Sequence, residues 1–314
     1  LVGGVFNDNT SATDFSRLGQ SATASINNAG TWNKAGTGAR THTSSTPFSN
    51  SGTVNVTTGM FELQGGGTDT GNYSTGTGAS TGIIDFVSGI RNVSSGSLSG
   101  VNAIRFSGAT VNLNVGSNYS TTTPIELNNG TLNASSGTSL SFADFTMTGG
   151  TLTGSDTINI SNSFIWDGFA TVIKGTGILN TLNGSTSTLI GDGLNLDDSR
   201  IWNNSGTINW NGDGGLTDSL FIRNTSQLNN LAGGVFNDNT TATNFARLGQ
   251  SATASISNAG AWNKTGTGVR TQTSTTPFNN TGTLKINSGL FDVSNYIQTA
   301  GITTLSGGNL QAAN

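Results

Sequence analysis

Residues 28–33 read NAGTWN, and 22 positions further on residues 50–55 read NSGTVN. The same pattern, Asn-x-Gly-Thr-apolar-Asn, returns in whole or in part as NNGTLN at 128–133, NSGTIN at 204–209, NAGAWN at 258–263 and NTGTLK at 280–285. Strand side chains alternate between two faces, so the apolar residue of each Thr-apolar pair is predicted to point inwards and the Thr outwards. The structural residues of this coil motif are Thr31, Trp32, Thr53, Val54, Thr131, Leu132, Thr207, Ile208, Trp262, Thr283 and Leu284.

A regular spacing underlies the motif. Reduced to Thr followed by an apolar residue, it recurs at Thr110, Thr131, Thr151, Thr171, Thr188 and Thr207. A period of about 20 residues corresponds to one coil of a parallel β-helix, and the whole chain would give roughly 15 or 16 coils. We therefore predict an all-β, single-stranded parallel β-helix. Gly and Asn before each pair are expected to form the corners, because both tolerate positive φ.

The chain also contains a duplication much longer than this spacing. Residues 1–62 return as residues 231–292, with 42 of the first 60 positions identical, and the copies diverge after Phe61 and Phe291. Such reuse of about three coils is typical of solenoid architecture. We predict one elongated β-solenoid segment over 1–314. Residues 64–82, rich in Gly, Thr and Ser, are predicted to form a loop or an irregular coil.

Composition limits the function. Only 9% of residues are charged, against about a quarter in ordinary soluble domains. The net charge of −4 and a pI of about 4.7 argue against nucleic acid as a partner, because phosphate recognition depends on Lys and Arg. The absence of cysteine excludes disulfides and thiolate metal sites. The sequence contains no apolar run long enough for a membrane span, so we expect none.

Titratable residues offer few candidates for chemistry. His42 is the only histidine, and Gln272 replaces it in the second copy. We therefore interpret His42 as an exposed polar loop residue, and expect neither a catalytic role for it nor a histidine metal cluster.

Five aspartates are spaced close to one coil apart. Asp192 precedes Asp213, and Asp197 and Asp198 precede Asp218, by nearly the predicted period of about 20 residues. Carboxylates stacked on one face would suit a Ca²⁺ site or glycoside hydrolysis. The favoured interpretation is a solvated ion-pair face, because Arg200 and Arg223 lie nearby in the sequence. The Ca²⁺ candidates are Asp192, Asp197, Asp198, Asp213 and Asp218.

Tryptophan side chains are the other candidates. Trp32 and Trp262 occupy the apolar slot of the coil motif and are predicted to lie in the core, as is Trp210. Trp166 and Trp202 would be sugar-stacking platforms if they were exposed.

Three segments resemble a known class of bacterial proteins: FNNTGTLKINSGLFDV at 278–293, NYIQTAGITTLSGGNL at 295–310 and NNGTLNASSGTSLSF at 128–142. They are similar to the repeats of autotransporter passengers and filamentous-haemagglutinin-type exoproteins. The resemblance covers most of the chain, and implies a right-handed parallel β-helix at the bacterial cell surface. It identifies the fold better than the role, and no functional residue of those families carries over.

The expected function is structural: a stiff β-solenoid segment of an extracellular adhesin stalk, fibre or biofilm-matrix filament. The expected partners are the protein itself and surface glycans. Self-association would occur head to tail or by covalent continuation, because neither Leu1 nor Asn314 is flanked by capping sequence. We expect no cofactor and no enzymatic activity. The alternatives are an adhesin with a specific glycan or protein receptor, and a polysaccharide lyase or hydrolase.

Overall fold

A computed structural model describes residues 3–12, 14, 16–38, 40–119, 121–273 and 275–312. The described chain is a parallel β-solenoid of about 14 turns with about 22 residues per turn, and it contains no helix. It divides into two compact units, residues 1–145 with 150–156 and residues 146–149 with 157–314. Leu1 and Asn314, for which uncapped ends are expected, lie outside the described residues.

The predicted parallel β-helix is confirmed, with turns slightly longer than the sequence predicts. The difference arises at the corners, where loops lengthen some turns. Leu194 pairs with Leu220, a longer step than the average turn, because a loop at 211–216 precedes the strand that contains Leu220.

The first unit contains 19 strands, of which the eighteenth ends in the second unit. They are β1 (Val5–Asp8), β2 (Ser16–Arg17), β3 (Ile26–Asn28), β4 (Thr31–Lys34), β5 (Arg40–His42), β6 (Phe48–Asn50), β7 (Thr53–Val56), β8 (Met60–Leu63), β9 (Gly67–Asp69), β10 (Asn72–Ser74), β11 (Ile83–Phe86), β12 (Ile90–Val93), β13 (Leu98–Ser99), β14 (Ile104–Phe106), β15 (Thr110–Leu113), β16 (Ile125–Leu127), β17 (Thr131–Ala134), β18 (Leu140–Met147) and β19 (Thr151–Gly154). Three parallel sheets form, from every third strand as far as β14 and β15 and from every second strand beyond them. Their orders are β1-β4-β7-β10-β13, β2-β5-β8-β11-β14-β16 and β3-β6-β9-β12-β15-β17-β19.

The second unit continues with 20 strands. They are β20 (Ile158–Trp166), β21 (Val172–Ile173), β22 (Ile178–Thr181), β23 (Thr186–Leu189), β24 (Leu194–Leu196), β25 (Ile201–Asn204), β26 (Thr207–Trp210), β27 (Thr217–Ile222), β28 (Gln227–Asn230), β29 (Val235–Asp238), β30 (Phe245–Leu248), β31 (Ser255–Asn258), β32 (Ala261–Lys264), β33 (Arg270–Gln272), β34 (Phe278–Asn280), β35 (Thr283–Ile286), β36 (Leu290–Val293), β37 (Tyr296–Gln298), β38 (Ile302–Leu305) and β39 (Asn309–Ala312).

Three sheets also form the second unit. Their orders are β20-β22-β25-β28-β31-β34-β37, β20-β23-β26-β29-β32-β35-β38 and β21-β24-β27-β30-β33-β36-β39. The long strand β20 belongs to two sheets, because its two halves pair with β22 and β23.

The coil motif explains this packing position by position. Its apolar members, among them Val54 and Ile208, are fully buried, while Thr53 and Thr207 on the same strands are half-exposed. The motif glycine is required for close packing between turns, and not for the predicted corner conformation. A Cβ on Gly52 would lie 2.0 Å from the carbonyl oxygen of Gly30 in the preceding turn. Glycine is required there because successive backbones approach closely.

Residues 64–82, predicted as a loop or irregular coil, contain two regular strands, β9 and β10. β10 pairs with β7 and β13, and the segment buries only one large side chain, that of Tyr73. The sequence is poor in apolar residues because a polar network, described below, occupies the interior at this level.

Candidate functional site

An uninterrupted ladder of asparagine amides runs inside the second unit. Asn204, Asn230 and Asn258 each donate a hydrogen bond from Nδ2 to Oδ1 of the asparagine one turn later, at 2.8 Å in every case, and the ladder ends on Asn280. These side chains are buried. Asn230 Nδ2 also donates to the carbonyl of Ala261 at 3.0 Å. In these turns a buried asparagine at the same position of each turn therefore bonds to the next turn, and Asn230 does so through both a side-chain and a backbone acceptor.

A second type of ladder lies on the outer surface. Asn203 donates to Asn180 at 3.1 Å and Asn229 donates to Asn203 at 3.0 Å. On the neighbouring face Asn263 donates to Asn237 at 2.9 Å. Amide ladders of this kind add side-chain hydrogen bonds to the backbone pairing of stacked strands.

The first unit contains a buried ionic network. Arg91 donates from Nε and Nη2 to the two carboxylate oxygens of Asp69, at 2.8 and 2.6 Å, and also to the carbonyl of Phe48 at 2.8 Å. The Tyr73 hydroxyl donates to Asp69 at 2.6 Å, and burial raises the pKa of Tyr73 well above its usual value. All three ionisable side chains are fully buried, so the network is a link between turns with no access for a ligand.

A buried ion pair joins two turns of the second unit. Lys264 Nζ lies 3.7 Å from Asp238 Oδ2, and neither side chain is exposed. Asp238 also accepts hydrogen bonds from the hydroxyls of Thr240 at 2.7 Å and Thr271 at 2.6 Å. The partners are in register, since Asp238 pairs with Lys264 on adjacent strands. Neighbouring turns are thus linked by complementary charge as well as by amides.

The five candidate aspartates fall into two groups. Asp192 and Asp213 are not one turn apart, because the turn from β24 to β27 is longer than the predicted coil. Asp192 consequently lies beside Asp218, each two residues before the paired Leu194 and Leu220. Asp197 and Asp198 lie at another corner.

One of these carboxylates lies in an ion pair, although its partner is a lysine and neither of the two arginines named in the sequence analysis. Asp198 is exposed and lies 3.9 Å from Lys174 Nζ. Arg200, by contrast, is fully buried and donates to the Lys174 carbonyl at 3.0 Å through Nε. Asp197 accepts from the backbone of Asp198 at 2.8 Å.

Asp218 is the most perturbed of the five. It is fully buried, and its Oδ1 accepts the backbone N–H of Asp213 at 2.9 Å. Burial, with additional contributions from the Asp213 and Asp192 carboxylates, raises the pKa of Asp218 to about 6. Gly212 permits this contact, because its φ is +66° and a Cβ there would lie 2.2 Å from Asp218 Cγ. Within the described residues, no three His, Cys, Asp or Glu side chains are arranged to hold a metal ion.

His42 is not the exposed loop residue that the sequence predicts. It lies on β5, is buried, and pairs in register with Glu62. Burial lowers the pKa of His42, although the Glu62 carboxylate partly opposes the shift.

Trp166 and Trp202 do not meet the condition for sugar-stacking platforms, because neither side chain is exposed. Trp166 and Trp202 are both fully buried, as are Trp210 and Trp262. The indole N–H groups of Trp166 and Trp202 donate to Thr171 at 2.7 Å and Thr181 at 3.2 Å, which satisfies their polar atoms inside the core. These tryptophans are therefore unavailable for stacking on a sugar.

The buried network of Asp69, Tyr73 and Arg91 was not predicted from the sequence. Asp69 and Arg91 are separated by one turn, so a search for opposite charges at the coil period would have found them. No protein-family model, curated protein or solved structure matches the chain. Because the described residues form no helix, none of them builds a helical membrane span.

Proposed function

We propose that the protein is a structural β-solenoid segment of an extracellular or cell-surface filament, stalk or matrix. The observation that carries this proposal is the interior amide ladder, in which Asn204, Asn230, Asn258 and Asn280 join consecutive turns. Within these four turns, each step of the ladder is made by the same amide hydrogen bond, 2.8 Å long. A ladder that repeats from turn to turn is suited to a load-bearing rod that is lengthened by adding turns.

The resemblance to autotransporter passengers and filamentous-haemagglutinin-type exoproteins supports the bacterial cell-surface location. The complete absence of cysteine and the low charge are compatible with it.

We further propose that the solenoid associates with additional turns, from a longer chain or from a second copy stacked head to tail. The duplicated block supports this. Phe6 is 47% exposed, whereas its counterpart Phe236 is fully buried because Trp210 of the preceding turn packs on it, with ring centroids 6.5 Å apart. A similar turn placed on Phe6 would bury the same apolar surface.

The proposed role requires no enzymatic activity. Acidic polysaccharides and neutral glucans incubated with the protein should therefore keep their chain length, as measured by gel filtration. Shortened chains or unsaturated products would support the lyase or hydrolase alternative.

The structural proposal is tested by breaking one interior ladder step. Asn230→Ala removes the Nδ2 bonds to Asn258 and to the Ala261 carbonyl, and leaves buried acceptors without donors. We expect a loss of about 2–3 kcal/mol in the free energy of unfolding. Faster hydrogen exchange should spread to the strands on either side, β25 and β31.

The matched control is the adjacent residue. Asn229→Ala removes an outward amide that makes a single ladder bond to Asn203, at a site open to water. Its effect should stay below about 1 kcal/mol. Equal effects of the two substitutions, or exchange confined to the mutated turn, would contradict a ladder that couples turns. Electron microscopy of native material tests the filament, since isolated single molecules would contradict it.

A further inference from the structure

A pocket of about 310 Å³ lies on the second unit, outside the polar ladders. The lining includes the half-buried Phe221, the 83% exposed Phe169, Asn195 and Ser219. Asn195 and Phe221 are paired residues of β24 and β27, so these rigid strands form the base of the pocket. An aromatic side chain this exposed contributes little to the core and is available to a ligand.

Arg223 lines this pocket, and Arg247 lies beside it on the neighbouring strand, in register with the lining residue Ser219. The Arg223 guanidinium lies 4.4 Å from the centroid of the Phe221 ring, and the Arg247 guanidinium lies 5.8 Å from the same centroid. Arg223 donates from Nε to Gln250 at 2.6 Å, which fixes its orientation. Among the described residues neither guanidinium has a carboxylate within 4.0 Å. In a chain of net charge −4, two unpaired guanidinium groups at one ring form a local anion-binding surface.

The floor of the pocket carries polar atoms that lack partners. Asn195 is only 5% exposed, and its Nδ2 donates to the Gly193 and Thr171 carbonyls. Its Oδ1, like Asp192 Oδ1, is buried without a hydrogen-bond donor from the described chain. A buried acceptor left unsatisfied is costly, so a donor from a ligand would stabilise the site.

The charged groups occupy opposite ends of the pocket. Asp192 precedes the paired Leu194 by two residues, and Arg223 follows its partner Leu220 by three. The backbone positions of Asp192 and Arg223 are therefore separated by on the order of 15 Å along the strands. A ligand with an anionic group at one end and hydroxyl donors at the other matches this polarity.

We propose that this pocket binds a carboxylate-bearing hexopyranose, such as a hexuronate unit of an acidic polysaccharide. Arg223 and Arg247 hold the ligand carboxylate, while Asp192 and Asn195 accept hydrogen bonds from sugar hydroxyls. Phe169 covers the apolar C–H face of the ring. A bare anion would leave the floor acceptors unsatisfied, and a neutral sugar would leave the two guanidinium groups unpaired.

This binding site is additional to the structural role and does not depend on it. Phe221 and Arg223 lie in the turn that precedes the second copy of the duplicated block, and Arg247 lies within that copy. The pocket therefore requires Phe221 and Arg223, which belong to a turn outside the duplicated block.

The test is calorimetric titration of the intact chain at low salt with a hexuronate oligosaccharide and with a neutral hexose oligosaccharide of equal length. We expect the hexuronate to bind at least about tenfold more tightly, and its affinity to fall as salt is added. The double variant Arg223→Ala/Arg247→Ala should lose this preference. Phe169→Ala should weaken binding of both saccharides several-fold, because the exposed ring contributes to ligand contact alone.

The matched charge control is Lys285→Ala, which removes one cation from an exposed position on β35. It should leave hexuronate affinity unchanged, and unfolding curves verify that each variant is folded. Equal affinity for the two saccharides, or equal loss in the Lys285 variant, would overturn the proposal. Inorganic sulfate competing as tightly as the saccharide would reduce the site to an anion site and also overturn it.

Discussion

The two copies of the duplicated block adopt the same strands but differ in what covers them. β1 and β29 occupy equivalent positions, with Asp8 in register with Lys34 and Asp238 in register with Lys264. In the second copy the Asp238–Lys264 pair is completely buried. In the first copy Asp8 Oδ2 has no hydrogen-bond donor from the described residues, and Lys34 Nζ donates instead to the carbonyl of Gly36 at 3.3 Å.

The difference shows that local sequence and neighbouring turns make separable contributions. Identical residues set the same strand, register and inward face in both copies. The turn before the second copy then decides how deeply Phe236 and Asp238 are buried. The consequences for stability should differ between the copies.

The largest effect is expected at the paired tryptophans. Trp262 stacks on Phe236 with centroids 3.7 Å apart, and Trp32 stacks on the partly exposed Phe6 at 4.1 Å. Trp262→Ala should cost about 3–5 kcal/mol, and Trp32→Ala about 1–2 kcal/mol less. Urea unfolding followed by circular dichroism, with hydrogen exchange to separate the two units, measures both. Equal losses would mean that the covering turn adds nothing.

The buried charges should show the next largest difference. Asp238→Ala leaves Lys264 buried without an anion, and we expect a loss of about 3 kcal/mol. Asp8→Ala should cost only about 1–2 kcal/mol, because Lys34 keeps its bond to Gly36. Adding Lys264→Met to Asp238→Ala should recover most of the loss in the same unfolding assay. Failure to recover would show that the hydrogen bonds from the threonines, and not the charge, dominate.

Asp218 belongs to the turn that covers the second copy. Its pKa of about 6 in the folded state exceeds the ordinary value of 3.8, so the folded state holds the proton more tightly. Tighter binding of this proton stabilises the folded state below pH 3.8. The stabilisation is lost as the pH rises through about 6. Asp218→Asn should therefore stabilise the protein by about 1–2 kcal/mol at pH 7 and have little effect at pH 4. Thermal unfolding at both pH values measures this, and destabilisation at pH 7 would contradict it.

The smallest effect is expected where the copies differ by a histidine. Burial lowers the pKa of His42 below 6.5, so the folded state resists protonation, and stability is lost as the pH falls below 6.5. His42→Gln, which introduces the residue of the second copy, should remove this dependence, worth less than about 1 kcal/mol. Gln272→His is the reciprocal variant, and unfolding of both should be compared at pH 7.5 and 5. An unchanged pH profile in His42→Gln would show that another group titrates.

The sequence was sufficient for the class of fold. Inward burial of Val54, Leu132 and Ile208 follows from alternation along each strand, which is a local property. The role of Gly52 was not predictable in the same way, because the carbonyl that excludes its Cβ belongs to the previous turn.

The candidate sites were harder to predict, because turn lengths vary. The turn that joins Leu194 to Leu220 is longer than the turn that joins Thr31 to Thr53, so aspartates spaced at the predicted period are not neighbours. For the same reason the approach of Arg223 and Arg247 to Phe221 had no signature in the sequence.

The repeating strand, its inward face and the recurrence of the motif asparagines follow from the amino-acid sequence alone, since they depend on contacts that are repeated at every turn. The burial of Trp166, Trp202 and His42, the pKa of Asp218 and the pocket beside Phe221 arise only in the folded chain. These features depend on the length of individual corners, which sets which side chains of one turn face those of the next.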